Sequence, residues 1–122
     1  MAKLLVIEDD ELVRTTIKWI LERAGHEVFE LNNGIGALSM HREIGIDAVV
    51  TDLDMPEQDG IETIIELKKQ SQALPIIAIS GSGSNGERPY LKKAKNSGAD
   101  YILSKPFRLH ELLGHVGSSI EP

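Results

Sequence analysis

Cysteine is absent from this chain of 122 residues, which excludes disulfides, thiolate metal sites and thiol nucleophiles. Aromatics are scarce, at one Trp, two Tyr and two Phe, so a core must be built from Ile, Leu, Val and Ala. An excess of positive charge is missing too. The formal net charge is −6, whereas a nucleic-acid footprint needs clustered Lys and Arg. No apolar run approaches the roughly 18–20 residues of a membrane span. Met1-Ala2-Lys3 runs directly into Leu4, so no signal peptide is expected and the expected location is cytoplasmic. Repeats and linkers are not apparent. The expectation is one domain over residues 1–122 with no effector domain attached.

What the chain does have is 41% hydrophobic residues, enough for one packed interior, arranged in alternating strand and helix patterns. Leu4–Ile7 is a short apolar run, as expected of a strand buried on both faces. The next segment, about Asp10 to Ala24, carries Leu12, Val13, Ile17, Ile20, Leu21 and Ala24 at helical spacing, with Gly25 as its C-terminal stop. Glu27–Leu31 alternates in polarity and reads as an edge strand. A short helix is expected at about 36–42, and a central strand at Ala48–Asp52. A third helix follows Asp59-Gly60 with Ile61, Ile64, Ile65 and Leu67. Pro75 opens a fourth strand. Beyond the Gly81–Gly86 stretch, Pro89 suits the first turn of a fourth helix, which Gly98 ends. Asp100–Leu103 is the fifth strand. The last helix runs from Arg108 to Ile120, with Leu109, Leu112, Leu113, Val116 and Ile120 facing inward. Strict alternation implies right-handed crossovers and an α/β fold with a doubly wound, five-stranded parallel sheet. The commoner order for this count is 2-1-3-4-5, the flavodoxin-like (βα)5 arrangement.

Four of these strands end in polar groups of different chemistry: Glu8-Asp9-Asp10, Asp52-Leu53-Asp54, Ser80-Gly81 and Ser104-Lys105-Pro106. In an open parallel sheet the strand carboxyl ends line one crevice, where ligands bind. Order 2-1-3-4-5 brings Glu8 and Asp9 next to Asp52. Each residue also has a plain structural reading. Asp52 alone would be a cap or turn residue, Asp10 a negative start to a helix, Lys105 a solvated loop cation and Ser80 loop polarity. For Asp52, Glu8 and Asp9 that reading weakens because acids from two strand ends meet. Clustered carboxylates repel, and Mg²⁺ relieves such a cluster through oxygen ligands. Lys105 would then supply a compact positive charge to an anion, and Ser80 a hydroxyl donor.

With these residues in place, the chain resembles the receiver domains of two-component response regulators over essentially its full length. The matching residues are Glu8-Asp9, Asp52 with Met55-Pro56 and Asp59-Gly60, Ser80, Gly98-Ala99-Asp100 and Lys105-Pro106-Phe107. No one of them is specific, but their joint order on the right elements is. The resemblance implies that Asp52 accepts a phosphoryl group from a sensor histidine kinase or histidine phosphotransfer protein. It further implies that Asp9 and Asp52 ligate Mg²⁺ (or Mn²⁺) directly, Glu8 through water and Asp54 through its backbone carbonyl. Ser80 and Lys105 would contact the phosphoryl oxygens. The implied output is a protein contact through the fourth helix, fifth strand and last helix. Such a chain catalyses its own phosphorylation and dephosphorylation and is not a multiple-turnover enzyme. The side chain of Asp54, expected at the mouth, would tune phosphoryl lifetime.

One position departs from the family pattern. The aromatic residue usual three positions before the Lys is replaced by Ile102, and Tyr101 should face the opposite side of the sheet. Activation is therefore expected to rest more on Ser80 and the Gly81–Gly86 loop. Rival readings are a haloacid dehalogenase-like phosphohydrolase, suggested by Asp52-x-Asp54, and a non-phosphorylated pseudo-receiver that only binds proteins. Weaker ones are a topoisomerase-primase-like metal module and a flavin carrier. Trp19 lies off the apolar stripe and is a candidate partner contact. His26, His41, His110 and His115 share no metal-ligand spacing with the acids.

Overall fold

A computed structural model describes residues 2–53, 60–80 and 95–120. Its sheet contains β1 (Lys3–Ile7), β2 (Glu27–Leu31), β3 (Ala48–Asp52), β4 (Ile76–Ser80) and β5 (Tyr101–Ser104). All neighbours are parallel, in the order β2-β1-β3-β4-β5. The helices are α1 (Glu11–Arg23), α2 (Ala37–Ile44), α3 (Gly60–Gln70) and a C-terminal helix, Leu109–Ile120. Residues 95–97 are also helical, within the span where the sequence predicts the fourth helix. Pro89 and the Gly81–Gly86 stretch lie outside the described residues, as do Asp54, Met55, Pro56 and Asp59. No helix among the described residues is long and apolar enough to cross a membrane.

Burial follows strand position. β3 and β4 are buried at every residue, whereas β2 and β5 are mostly half-buried, as edge strands with alternating polarity should be. The two-residue period of a strand sorts side chains into two aliphatic cores. Leu5, Ile7, Val49, Ile76 and Ala78 pack on one face with Ala37 of α2 and with Ile61, Ile64 and Leu67 of α3. Leu4, Val6, Val50, Ile77 and Ile79 pack on the other, with Ile17 and Leu21 of α1 and with Leu112 and Val116 of the C-terminal helix. Each fully buried Leu or Ile contributes about 1.5–3 kcal/mol. Ile102 joins the first core and Tyr101 the second, so they do face opposite sides. Tyr101 stacks on His115 with ring centroids 4.5 Å apart, and His115 is accordingly half-buried.

Three apolar residues expected inside are exposed. Leu12, Ile65 and Leu109 keep 76%, 44% and 52% of their surface. Leu12 lies five residues before Ile17, about 140° around the helix at 3.6 residues per turn, and so misses the sheet. Ile65 is flanked on α3 by the buried Ile64 but points past the core. Leu109 has the right angle but stands on the first helical residue. There it lines a groove with Trp19, Ile20, Arg23 and Leu113.

Helix boundaries follow local chemistry. Asp10 caps α1, its Oδ1 accepting from the Val13 amide at 3.1 Å, which is the structural role the sequence allowed it. Glu111 reaches back to the Arg108 amide at 3.0 Å, as the third residue of a capping box does. Gly60 opens α3 hard against the end of β3. A β-carbon at that position would stand 2.6 Å from the Asp52 carbonyl oxygen, so only glycine permits α3 to start there.

Candidate functional site

Glu8 follows β1 and Asp52 closes β3, and both keep the parity of the α1 side of the sheet. The β1–β3 register pairs Ile7 with Thr51, which places the two acids side by side. Both are nearly inaccessible, at 1% and 3% exposure, while Asp9 is exposed at the mouth. Carboxylate oxygens of Glu8, Asp9 and Asp52 lie within 4.8 Å of one another. Lys105 reaches in from the end of β5. Its Nζ is 2.9 Å from Glu8 Oε1 and 3.7 Å from Asp52 Oδ1, and its peptide bond to Pro106 is cis.

Ser80 ends β4 beside β3. Its carbonyl accepts from the Lys105 amide at 2.8 Å, which ties the tips of β4 and β5 together. The Ser80 hydroxyl is fully buried and has no hydrogen-bond partner among the described residues. Ser80 has the parity of Ile76 and Ala78, opposite to that of Asp52, so its hydroxyl does not share the Lys105 ammonium. A buried hydroxyl left unpaired costs stability, and its retention here suits a donor held for an acceptor that arrives with a ligand.

Electrostatics of the acids agree with a cation site. Burial, reinforced by a hydrogen bond to Asp52 that only the protonated acid can make, pushes the Glu8 carboxyl above its usual value, and Lys105 only partly opposes this. Asp9 is likewise raised, by burial of one side and by neighbouring Glu8. Among the described residues three carboxylates therefore face one ammonium, an arrangement that favours an additional cation. An all-oxygen set of this kind fits Mg²⁺ or a similar hard divalent ion. The Asp54 carbonyl, expected as a further ligand, lies outside the described residues.

A second polar layer was not foreseen from the sequence. Arg14 of α1 donates to the Glu8 carbonyl at 2.9 Å and pairs with Glu30 at 3.3 Å. Lys18 holds the other Glu30 oxygen at 3.0 Å. These two cations keep the Glu30 carboxyl below the usual range, Lys18 contributing most. A signal existed: Arg14 and Lys18 are one helical turn apart, and Glu30 shares the parity of Val28, which packs toward α1.

Comparison with known proteins agrees with this geometry. The family model described as "Response regulator receiver domain" matches residues 4–117. The response regulator MprA of Mycobacterium leprae is 35% identical over 114 residues, covering 93% of this chain and 49% of that protein. The chain thus spans about half the length of such relatives. The chemotaxis protein CheY of Halobacterium salinarum is 37% identical over 109 residues, covering 88% of both. Among solved structures, the chemotaxis protein CheY4 of Vibrio cholerae superposes with a TM-score of 0.86 at 28% identity, over 98% of each chain. A response regulator receiver domain protein from Clostridium thermocellum gives 0.87 at 30% identity, over 98% of this chain and 94% of that one.

Proposed function

The chain belongs to the response regulator receiver family, whose members are signalling switches rather than conventional enzymes, and from that premise we propose that Asp52 is its phosphoacceptor. The observation that carries this reading is the buried Asp52 carboxylate, which shares Lys105 with Glu8 and lies within 4.8 Å of the Asp9 oxygens.

In the proposed reaction an Asp52 oxygen attacks the phosphorus of a phosphohistidine in line. The new bond is an acyl phosphate, and the broken N–P bond returns its electron pair to the imidazole. Lys105 moves its charge onto a phosphoryl oxygen, and the unpaired Ser80 hydroxyl donates to another. Glu8, Asp9 and Asp52, with the Asp54 carbonyl, would hold Mg²⁺ (Mn²⁺ being a substitute). When bound, the ion neutralises charge on the acids and on the transferring group. A sensor histidine kinase or histidine phosphotransfer protein would be the donor, and a protein contact made by the single receiver unit, in the cytoplasm, would be the output. Because Ile102 occupies the position where an aromatic residue is usual, the change on phosphorylation is assigned to Ser80 and the segment that follows it.

Acetyl phosphate with Mg²⁺ should add one phosphoryl group to the wild type by intact-mass measurement, and none to Asp52→Ala. Chelation of Mg²⁺ should abolish the addition. A wild type that stays unlabelled, with acetyl phosphate and with a panel of histidine kinases, would sink the reading and favour a protein-binding module.

A further inference from the structure

The β1–β2 ladder ends one step short of the acidic pair, and Arg14 takes over where it stops. Ile7 pairs with Leu31, and the Glu8 amide still donates to the Leu31 carbonyl at 3.1 Å. In a parallel ladder the Glu8 carbonyl would next accept from the amide of residue 33, two positions further along the partner strand. β2 has already ended at Leu31, and the chain turns there, with Asn33 Oδ1 accepting from the Ile35 amide at 2.8 Å. The donor at the Glu8 carbonyl is instead the Arg14 guanidinium, at 2.9 Å. Glu30 aims that guanidinium, since Arg14 Nε pairs with Glu30 Oε1 at 3.3 Å while Lys18 anchors the opposite oxygen.

We infer that Arg14 is a positioning residue for the cation site: by completing the strand at the Glu8 carbonyl it fixes the Glu8–Asp9 peptide, so that Glu8 turns inward to Lys105 and Asp9 outward to the ion. This rests on the metal-binding part of the reading above. A planar fork suits the task, because one guanidinium serves a carboxylate and a carbonyl at once in fixed directions, which an ammonium does not. The charge of Arg14 is not what perturbs the acids. The Glu8 shift arises from burial, Asp52, Lys105 and the Asp10 amide, and the Asp9 shift from burial, Glu8, its own amide and Lys105. Arg14 therefore acts through backbone geometry, as outer residues that orient metal ligands do.

Mg²⁺ titration by calorimetry on folded protein, without any phosphodonor, tests this. Arg14→Met keeps the aliphatic stem and should weaken Mg²⁺ binding about tenfold, the lower end of the range for losing an orienting group. Lys18→Met removes a Glu30 partner without touching Glu8 and should change the affinity less than about twofold. Arg14→Lys, included in case Arg14→Met does not fold, should fall between the two. A merely structural Arg14 would lower the urea midpoint of Arg14→Met and of Lys18→Met alike while leaving the Mg²⁺ affinity of the folded molecules unchanged. Wild-type affinity in Arg14→Met, or in Arg14→Lys where only that variant folds, overturns the inference while the phosphoacceptor reading stands. A wild type that takes up no Mg²⁺ overturns both.

Discussion

At the N-terminal ends of the strands, Asp100 accepts from the Ile76 amide at 2.8 Å and from Lys68 Nζ at 3.0 Å, and Asp47 accepts from the Lys3 amide at 2.8 Å. At the C-terminal ends, Glu8, Asp9 and Asp52 crowd within 4.8 Å around Lys105. The same residue types thus serve opposite purposes. Asp47 and Asp100 at the lower rim are each matched to a donor and staple neighbouring elements. Among the described residues the acids at the upper rim outnumber their cation, and two of them are pushed toward the neutral form. Stability is built at one rim and given up at the other, the rim proposed to hold an ion.

Substitutions can break this contrast, and the largest effect is expected at Gly60. Gly60→Ala forces a methyl to within 2.6 Å of the Asp52 carbonyl. It should cost about 2–3 kcal/mol by urea denaturation and lower phosphorylation as Asp52 is displaced. Wild-type stability would mean that α3 moves freely against β3. Asp100→Ala comes next. It strands the Ile76 amide and leaves Lys68, among the described residues, only the Gln72 carbonyl at 3.1 Å, and should cost about 1–2 kcal/mol with no change in Mg²⁺ affinity. Were Mg²⁺ binding to fall with it, the two rims would not be independent.

Glu8→Gln should have a smaller effect of the opposite sign. In the absence of Mg²⁺ it removes an acid whose ionised form is disfavoured, so the variant should melt above the wild type. Added Mg²⁺ should narrow or reverse that difference, because a ligand stabilises the state that binds it. A lower melting temperature for Glu8→Gln without Mg²⁺ would show that the Lys105 pair outweighs burial.

The smallest signal is in pH. Glu8 and Asp9 are raised above 4.5 and 3.8, so the folded state holds their protons longer than the unfolded state does. Their contribution is present below those values and is lost as pH rises through the folded ones. His26, ahead of β2 at the lower rim, is held below 6.5 by burial and by the positive N-terminus. Its contribution is present above 6.5 and is lost as pH falls through its folded value. Melting curves without Mg²⁺ should therefore show a downward slope with pH above 4.5 that Glu8→Gln reduces. An upward slope approaching 6.5 should disappear in His26→Asn.

The sheet was legible in the sequence because its signals are local. Unbroken apolar runs at Leu4–Ile7, Ala48–Val50 and Ile76–Ile79 announce inner strands, and the polarity of Glu27–Leu31 announces an edge. The grouping of Glu8, Asp9 and Asp52 followed once strand order brought β1 beside β3. Helical periodicity was less complete. It gives the angle of Leu12 or Leu109 around an axis but not how far each helix extends over the sheet, so both were expected inside and stand outside. Arg14 escaped notice because its partner at Glu8 is a backbone carbonyl, and a carbonyl has no letter in the sequence. The length of β2, which leaves that carbonyl without a ladder donor, is also a tertiary outcome.

The hydrogen bond from the Lys105 amide to the Ser80 carbonyl, 2.8 Å long, has a mechanical consequence. The two side chains assigned to the phosphoryl oxygens hang from one yoke. A pull on the hydroxyl is felt at the ammonium's own backbone, and the chain beyond Pro106 leads within a few residues into the C-terminal helix. If Asp52 is phosphorylated as proposed, news of the modified carboxylate would have a short covalent road to the outer surface, one that requires no swinging ring.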